Sequence, residues 1–251
     1  RRASLDLRMV VPGAVENPEG KIPVAARKIV EIYRKTTPDR GTQLVFMDLG
    51  TPRAAERLTE VAASEEQLVE TTEELKVLRN VYQELRKHLV AEGIPVNEIA
   101  FIHDAKSNKA REQLFDKVND GSVRVIVGST AKLGTGANVQ ARAAALHNVD
   151  IPWRPRDIEQ RGGRIIRQGN IVFGTKFDEA GKVVNPGSGV MIYNYLTEGS
   201  FDGYMWQAIE AKARAIKSIM KRNPTQRTIE DVDSFVLTAA EAKALASGNP
   251  D

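Results

Sequence analysis

The chain has no cysteine, which excludes disulfides and thiolate metal sites and makes a cytoplasmic setting the expectation. It has no apolar run as long as a membrane span and no opening signal peptide. It also lacks a GxxxxGK[ST] loop, a complete GxGxxG after a strand-like run, and an acidic pair closing an apolar strand. These absences deny it the usual cradle for a nucleoside triphosphate, so any phosphate-binding lysine and metal ligand would have to come from another domain. No spacing of His, Asp and Glu supports a metal site. Charge of one sign is scarce too. With 36 Lys and Arg against 33 Asp and Glu the formal charge is +3, which permits a nucleic-acid partner without arguing for one.

What is present is an ordinary globular composition, 41% hydrophobic and 27% charged over 251 residues, enough for one core with a helical appendage. The first residue is Arg1 instead of Met, as expected of a piece of a longer chain. Residues 1–22 read as a lead-in. Between Pro23 and Arg34, Ala26, Ile29, Val30 and Tyr33 fall at helical spacing. "TQLVFMDL" (42–49) has strand character and is closed by Pro52.

A polar stretch free of Gly and Pro follows, about 53–92. Val61, Leu68, Leu75, Tyr82 and Leu89 recur every seven residues, joined by Leu78 and Leu85. This spacing predicts helix, either an arm for a partner or an amphipathic helix lying on its own domain, and the short seam favours the latter.

Strand and helix then alternate. "EIAFIHD" (98–104) and "VRVIVGST" (123–130) read as strands flanking a helix over 108–119. "ALHNVDIPW" (145–153) and "GVMIYNYLT" (189–197) are further strands, and a helix runs from Phe201 to about Arg222. Apolar strands alternating with helices predict an α/β fold whose mostly parallel sheet is covered on both sides. Ligands of such sheets sit beyond the carboxyl ends of the strands, which here carry Asp48, His103-Asp104, Ser129-Thr130 and Trp153-Arg154.

The stretch "IEQRGGRIIRQG" (158–169) holds three arginines and three glycines in twelve positions. Read as helix over 158–167, it puts Arg164 and Arg167 on one face with Gln160 a turn earlier. Planar guanidinium groups can fork onto phosphate oxygens and stabilise charge on a departing γ-phosphate. Gly162-Gly163 costs a helix about 1 kcal/mol per glycine and would allow close approach of another surface. Spacing alone leaves this reading level with that of a solvated basic helix.

The order of the motifs is more specific. Ser129, Thr130, Gly134, Gly136, Asn138 and Gln140, followed by Trp153-x-Pro155 and then Gln160, Arg164 and Arg167, resemble the second RecA-like lobe of superfamily 2 helicases, in their Swi/Snf-like branch of DNA translocases. The resemblance covers about residues 24–220. "IAFIHDA", "WRPRDIEQRGGRIIRQGN" and "YLTEGSFDGYMWQAIEAKA" are similar to the helicase portion of phage and mobile-element methylase–helicase proteins. Gly163 stands where many remodellers have Asp, and Asn170 where they have Gln.

The resemblance implies a RecA-like three-layer lobe over 23–199, with a helical insertion at about 53–92 and a C-terminal helical extension over 200–251. It implies ATP with Mg, held mainly by a first RecA-like lobe of the same parent chain. Arg167 would be the arginine finger and Arg164 its partner on the γ-phosphate. Gln160, Gly136 and Asn138 would order the nucleotide cleft. Ser129, Thr130, Lys132 and Gly134 would contact the DNA backbone without reading sequence. The isolated chain would then be inactive, and a methylase domain is a further possible partner in the parent chain.

Other residues carry blander expectations. His103-Asp104 is a polar pair at a strand end, more often structural than a catalytic dyad. His88 is expected to face solvent and His147 to be a satisfied core residue. Trp153 is balanced between stacking on a base and packing a strand end. Tyr204, Met205, Trp206 and Ile209 read as a packing face, and the basic run 212–222 as a solvated one. The alternatives to a motor lobe are a non-catalytic nucleic-acid- or protein-binding scaffold and, with less support, a self-sufficient nucleotide-binding enzyme.

Overall fold

Three runs of consecutively buried residues, Thr42–Phe46, Val125–Gly128 and Ala143–Asn148, build the middle of the sheet, where strands are covered on both faces. The computed structural model describes residues 1–11, 13–49, 81–134, 137–166, 169–173, 176–177, 183–185 and 189–220. After a short helix α1 (Arg2–Leu5) come α2 (Lys21–Lys35), β1 (Thr42–Phe46), α3 (81–91), β2 (Ile99–Phe101), α4 (Asn108–Asn119), β3 (Val125–Gly128) and the single turn α5 (Thr130–Leu133). β4 (Ala143–Asn148), α6 (Pro155–Gly162), an antiparallel pair of β5 (Lys176–Phe177) and β6 (Val183–Asn185), β7 (Met191–Asn194) and α7 (Phe201–Met220) follow.

Five strands pair in the order β2-β3-β1-β4-β7, every pair parallel. The two-residue period of a strand distributes the core. Val45, Met47, Val125 and Val127 turn to one face, against Ile22, Ala26 and Ile29 of α2 and Tyr82, Leu85 and Leu89 of α3. Leu44, Phe46, Ile126 and Leu146 turn to the other, against Val118, Leu114 and Phe115 of α4. The expected α/β, RecA-like arrangement of a parallel sheet between helical layers is therefore the one adopted.

The heptad residues Tyr82, Leu85 and Leu89 lie on the domain's own core; the rest of the expected insertion, 53–80, falls outside the described residues, as does 221–251 of the expected extension. The strand expected over 98–104 is shorter, with Ile102–Asp104 closing it as a 3-10 turn. His147 is fully buried, with Nδ1 2.7 Å from the Tyr195 hydroxyl and Nε2 3.0 Å from Gln43 Oε1, the satisfied core histidine expected. His88 instead lies 3.0 Å from Glu16 and is half-buried. Met205 and Ile209 of α7 pack on Ile151 with Trp206 beside them, the expected packing face.

Candidate functional site

The chain leaves β1 toward β2 at one edge of the sheet and leaves β4 toward β7 at the other. Outgoing connections that diverge from neighbouring strands open a crevice between their carboxyl ends. Asp48 follows β1 there and Asp150 follows β4, and Arg161 of α6 fills the space between them. Its guanidinium has five N–H donors, and the structure gives it five hydrogen bonds. Nε donates to Thr130 Oγ1 at 2.8 Å, Nη1 to Asn148 Oδ1 at 3.0 Å and to the Asp150 carbonyl at 2.9 Å, and Nη2 to Asp48 Oδ2 at 2.7 Å and Asp150 Oδ1 at 3.2 Å. The acids take further bonds. Asp150 Oδ2 accepts the amides of Asp48 and Leu49 at 2.6 and 2.7 Å, and Asp48 accepts the amide and hydroxyl of Thr130 at 2.6 and 2.8 Å. Burial, then the charge of Asp48, pushes the Asp150 carboxyl above its ordinary value, and Arg161 opposes both.

Next to this core of charge stands the glycine turn. Gln160 Nε2 and Arg164 Nε both donate to the Gly134 carbonyl, at 2.7 and 2.9 Å, and Arg164 Nη1 reaches the Ala137 carbonyl at 3.2 Å. Gln160 and Arg164 are thus brought together, though by a different local structure from the one expected. α6 begins earlier, with Pro155 at its first position, where a missing amide costs nothing. It stops at Gly162 because the glycine pair favours leaving the helix, so Arg164 lies in the following turn and not on a helix continuing to 167. Among the described residues nothing lies within 4 Å of a Cβ built on Gly162, whereas one on Gly134 would fall 2.3 Å from the Thr130 carbonyl oxygen. The close approach within this lobe is therefore at Gly134. Arg167 and Gly136 lie outside the described residues.

Ser129 and Thr130 are buried at the start of α5. The Thr130 hydroxyl bonds both Asp48 and Arg161, so it faces inward in this state. Lys132 is half-exposed on the same turn. The Asn138 side is exposed, and its carbonyl accepts from Asn119 Nδ2 at 2.7 Å. His103 closes β2 nearby. Burial and then Lys132 lower its pKa to about 4, and among the described residues neither ring nitrogen has a partner, so no hydrogen bond makes a dyad with Asp104.

Arg161 and Asp150 escaped the sequence reading. Asp150 did leave a signal, a carboxylate embedded in the apolar run "LHNVDIP", since a buried acid requires a buried cation. Both edge carboxylates are already committed to Arg161 and backbone amides, which leaves them poorly suited to hold a magnesium ion. Among the described residues one trio has metal-ligand proximity, Glu16, Glu84 and His88, and Arg8 already pairs with its Glu16 at 2.9 Å.

The fold and site define a RecA-like α/β lobe with its polar machinery on the carboxyl edge of the sheet. Residues 60–169, which contain nearly all of that machinery, match the model of the helicase conserved C-terminal domain. The chain is 25% identical over 125 residues, half its length, to the defense against restriction protein B of Escherichia phage P1, and spans 5% of that protein. It is similar in structure to the DUF1998 helicase MrfA bound to DNA (TM-score 0.42, 13% identity, 76% of this chain and 20% of that one). It is also similar to S. cerevisiae Dbp5 bound to RNA and ADP BeF3 (TM-score 0.43, 16% identity, 82% of this chain and 44% of that one).

Proposed function

We propose that the chain is the second motor lobe of an ATP-dependent DNA helicase or translocase of the Swi/Snf-like kind, within a parent protein that also supplies the first lobe and, as in the resembling methylase–helicase proteins, a methylase. The observation that carries this reading is the helicase C-terminal match over 60–169. The convergence of Gln160 and Arg164 on the Gly134 turn, three residues from Arg167, supports it.

In this reading ATP with Mg lies between the lobes, and the first lobe provides the phosphate-binding lysine and the metal ligands. Arg167 and Arg164 meet the γ-phosphate from this side and stabilise charge as it leaves. To do so Arg164 exchanges the Gly134 and Ala137 carbonyls for phosphate oxygens. That exchange frees the turn on which Lys132 and Gly134 face the DNA backbone, so nucleotide state and DNA contact are linked through one side chain. Arg161 takes no part in phosphate contact. It holds α6 against the strand ends so that Arg164 starts from a fixed place.

The test is DNA-stimulated ATP turnover in the parent chain, wild type against Arg167→Ala, with folding and DNA binding monitored alongside. Loss of about 10³-fold or more supports an arginine finger. Turnover equal to an active wild type would remove the arginine-finger role of Arg167, and absence of DNA-stimulated turnover in the wild-type parent would sink the motor reading and leave the scaffold one.

A further inference from the structure

A second gathering of polar side chains, separate from the network at the carboxyl edge, forms where the lead-in crosses α3. Glu84 and His88 are four residues apart on that helix, so their side chains leave the same face one turn apart. Glu16 of the lead-in reaches the same place, with its Oε1 3.0 Å from His88 Nε2. The three side chains bring one potential ligand atom each to within 4.8 Å of one another, and all three are partly buried.

Cations already meet this group, but incompletely. Arg8 Nη2 donates to Glu16 Oε1 at 2.9 Å, and its Nη1 lies 3.7 Å from Glu84 Oε2. Lys87 Nζ donates to Glu84 Oε1 at 2.6 Å. Arg8 has its main anchor elsewhere, because Nε and Nη2 fork onto the two oxygens of Asp6 at 3.0 and 2.6 Å. It can therefore release Glu16 and keep that partner. Asp6, Glu16 and Glu84 set three negative charges against the two positive ones of Arg8 and Lys87, and a neutral His88 adds none. Among the described residues the group is one positive charge short.

We propose that Glu16, Glu84 and His88 bind a divalent transition cation of the zinc class. One imidazole nitrogen with two carboxylates is a donor set and number that suits zinc with one position left for water. The imidazole disfavours magnesium and calcium, which take oxygen ligands. Two of the ligands are held in place by one helix, and the third lies 72 residues from His88. The ion therefore fastens the lead-in onto α3, and no local spacing in the sequence announces it. Arg8 and Lys87 become outer partners of the ligating carboxylates, whose remaining oxygens need such bonds. The inference is independent of the motor-lobe reading and gives the ion no part in hydrolysis.

The experiment is a calorimetric titration of the metal-stripped 251-residue chain with zinc chloride, and in parallel with magnesium chloride, in the absence of nucleotide. One equivalent of zinc is expected to bind with a Kd below about 100 µM. His88→Ala and Glu84→Gln should each weaken binding by about 100-fold or more, beyond what loss of an outer partner costs. Zinc should also raise the urea midpoint of the wild type and leave those of both variants unchanged. Circular dichroism in chelator verifies that the variants fold, and Glu84→Gln, which keeps the size and shape of its side chain, carries the test if His88→Ala does not. Absence of zinc binding over this range overturns the proposal. Zinc bound equally by the wild type and the folded variants also overturns it, marking an adventitious ion only. Magnesium bound as tightly as zinc overturns it too, since the imidazole would then be no ligand.

Discussion

The guanidinium of Arg161 meets the carboxylate of Asp150 at 3.2 Å with 0% and 3% of their side chains exposed. Asp48 completes the group at 2.7 Å from the same nitrogen. Two acids flank one cation where three strand ends converge; Asp150 has no solvent to fall back on, while 28% of the Asp48 side chain is exposed. Removing the cation should therefore cost far more than the pair contributes over an apolar replacement. Arg161→Leu should lower unfolding free energy by about 3–5 kcal/mol, and adding Asp150→Asn should recover about 1–2 kcal/mol of that loss. Urea denaturation of the two variants measures both numbers. A single-variant loss under about 1 kcal/mol would mean that the network does not hold the edge together.

The Gly134 turn makes a sharper claim, because the obstacle there is backbone. A methyl group at Gly134 would sit 2.3 Å from the Thr130 carbonyl oxygen, which cannot swing aside as a side-chain tip could. Gly134→Ala should destabilise the chain by about 1–3 kcal/mol. In the parent protein it should also reduce turnover, since Gln160 and Arg164 lose a correctly placed carbonyl. Denaturation combined with turnover of the parent checks this, and a neutral substitution would show that the turn has room the structure denies.

The fold was legible in the sequence because the central strands carry short apolar runs, Leu44–Phe46 in β1, Val125–Val127 in β3 and Ala143–Leu146 in β4. "VRVIVGST" and "ALHNVDIPW" admit few other readings, and their alternation with helices implies a parallel sheet. Gln160 and Arg164 were legible as a pair through spacing and motif order. Where they point was not, because a helix extended through Gly162-Gly163 predicts a shared face, while the true helix ends and the backbone turns. Arg161 was hidden for another reason. Its role depends on Asp48 and Asp150, 113 and 11 residues away, and no local pattern records a partner at that distance. The single local trace was an acid within an apolar run.

Gly162 is the counterpart of Gly134, a glycine with no steric need among the described residues. A Cβ there meets nothing within 4 Å among the described residues, so Gly162→Ala should stabilise α6 by about 0.5–1 kcal/mol through the lower backbone entropy of the unfolded chain. If the position is kept bare for the approach of another surface, the same variant should lower DNA-stimulated turnover of the parent. A gain in stability with turnover equal to wild type would assign the glycine to ending the helix alone.

The core itself should be sensitive to acid through His147. Burial, followed by the charge of Lys28, lowers its pKa to about 3, and the neutral ring is held by Tyr195 and Gln43 while stacking on Tyr193. The folded-state value lies below the unfolded one of about 6.5, so between these values the unfolded chain binds the extra proton. The stabilising contribution is therefore complete above about pH 6.5 and is lost as pH falls, levelling off only near pH 3. His103, lowered to about 4, acts in the same direction but is less deeply buried. The wild-type chain should lose about 2 kcal/mol between pH 7 and pH 5 through His147. His147→Gln, which keeps a neutral hydrogen-bonding side chain in that space, should flatten the slope over this range. Urea midpoints at pH 7, 6 and 5 for both chains provide the comparison. Parallel slopes would mean that the ring takes up its proton without unfolding the core, and that the acid sensitivity of the domain lies elsewhere.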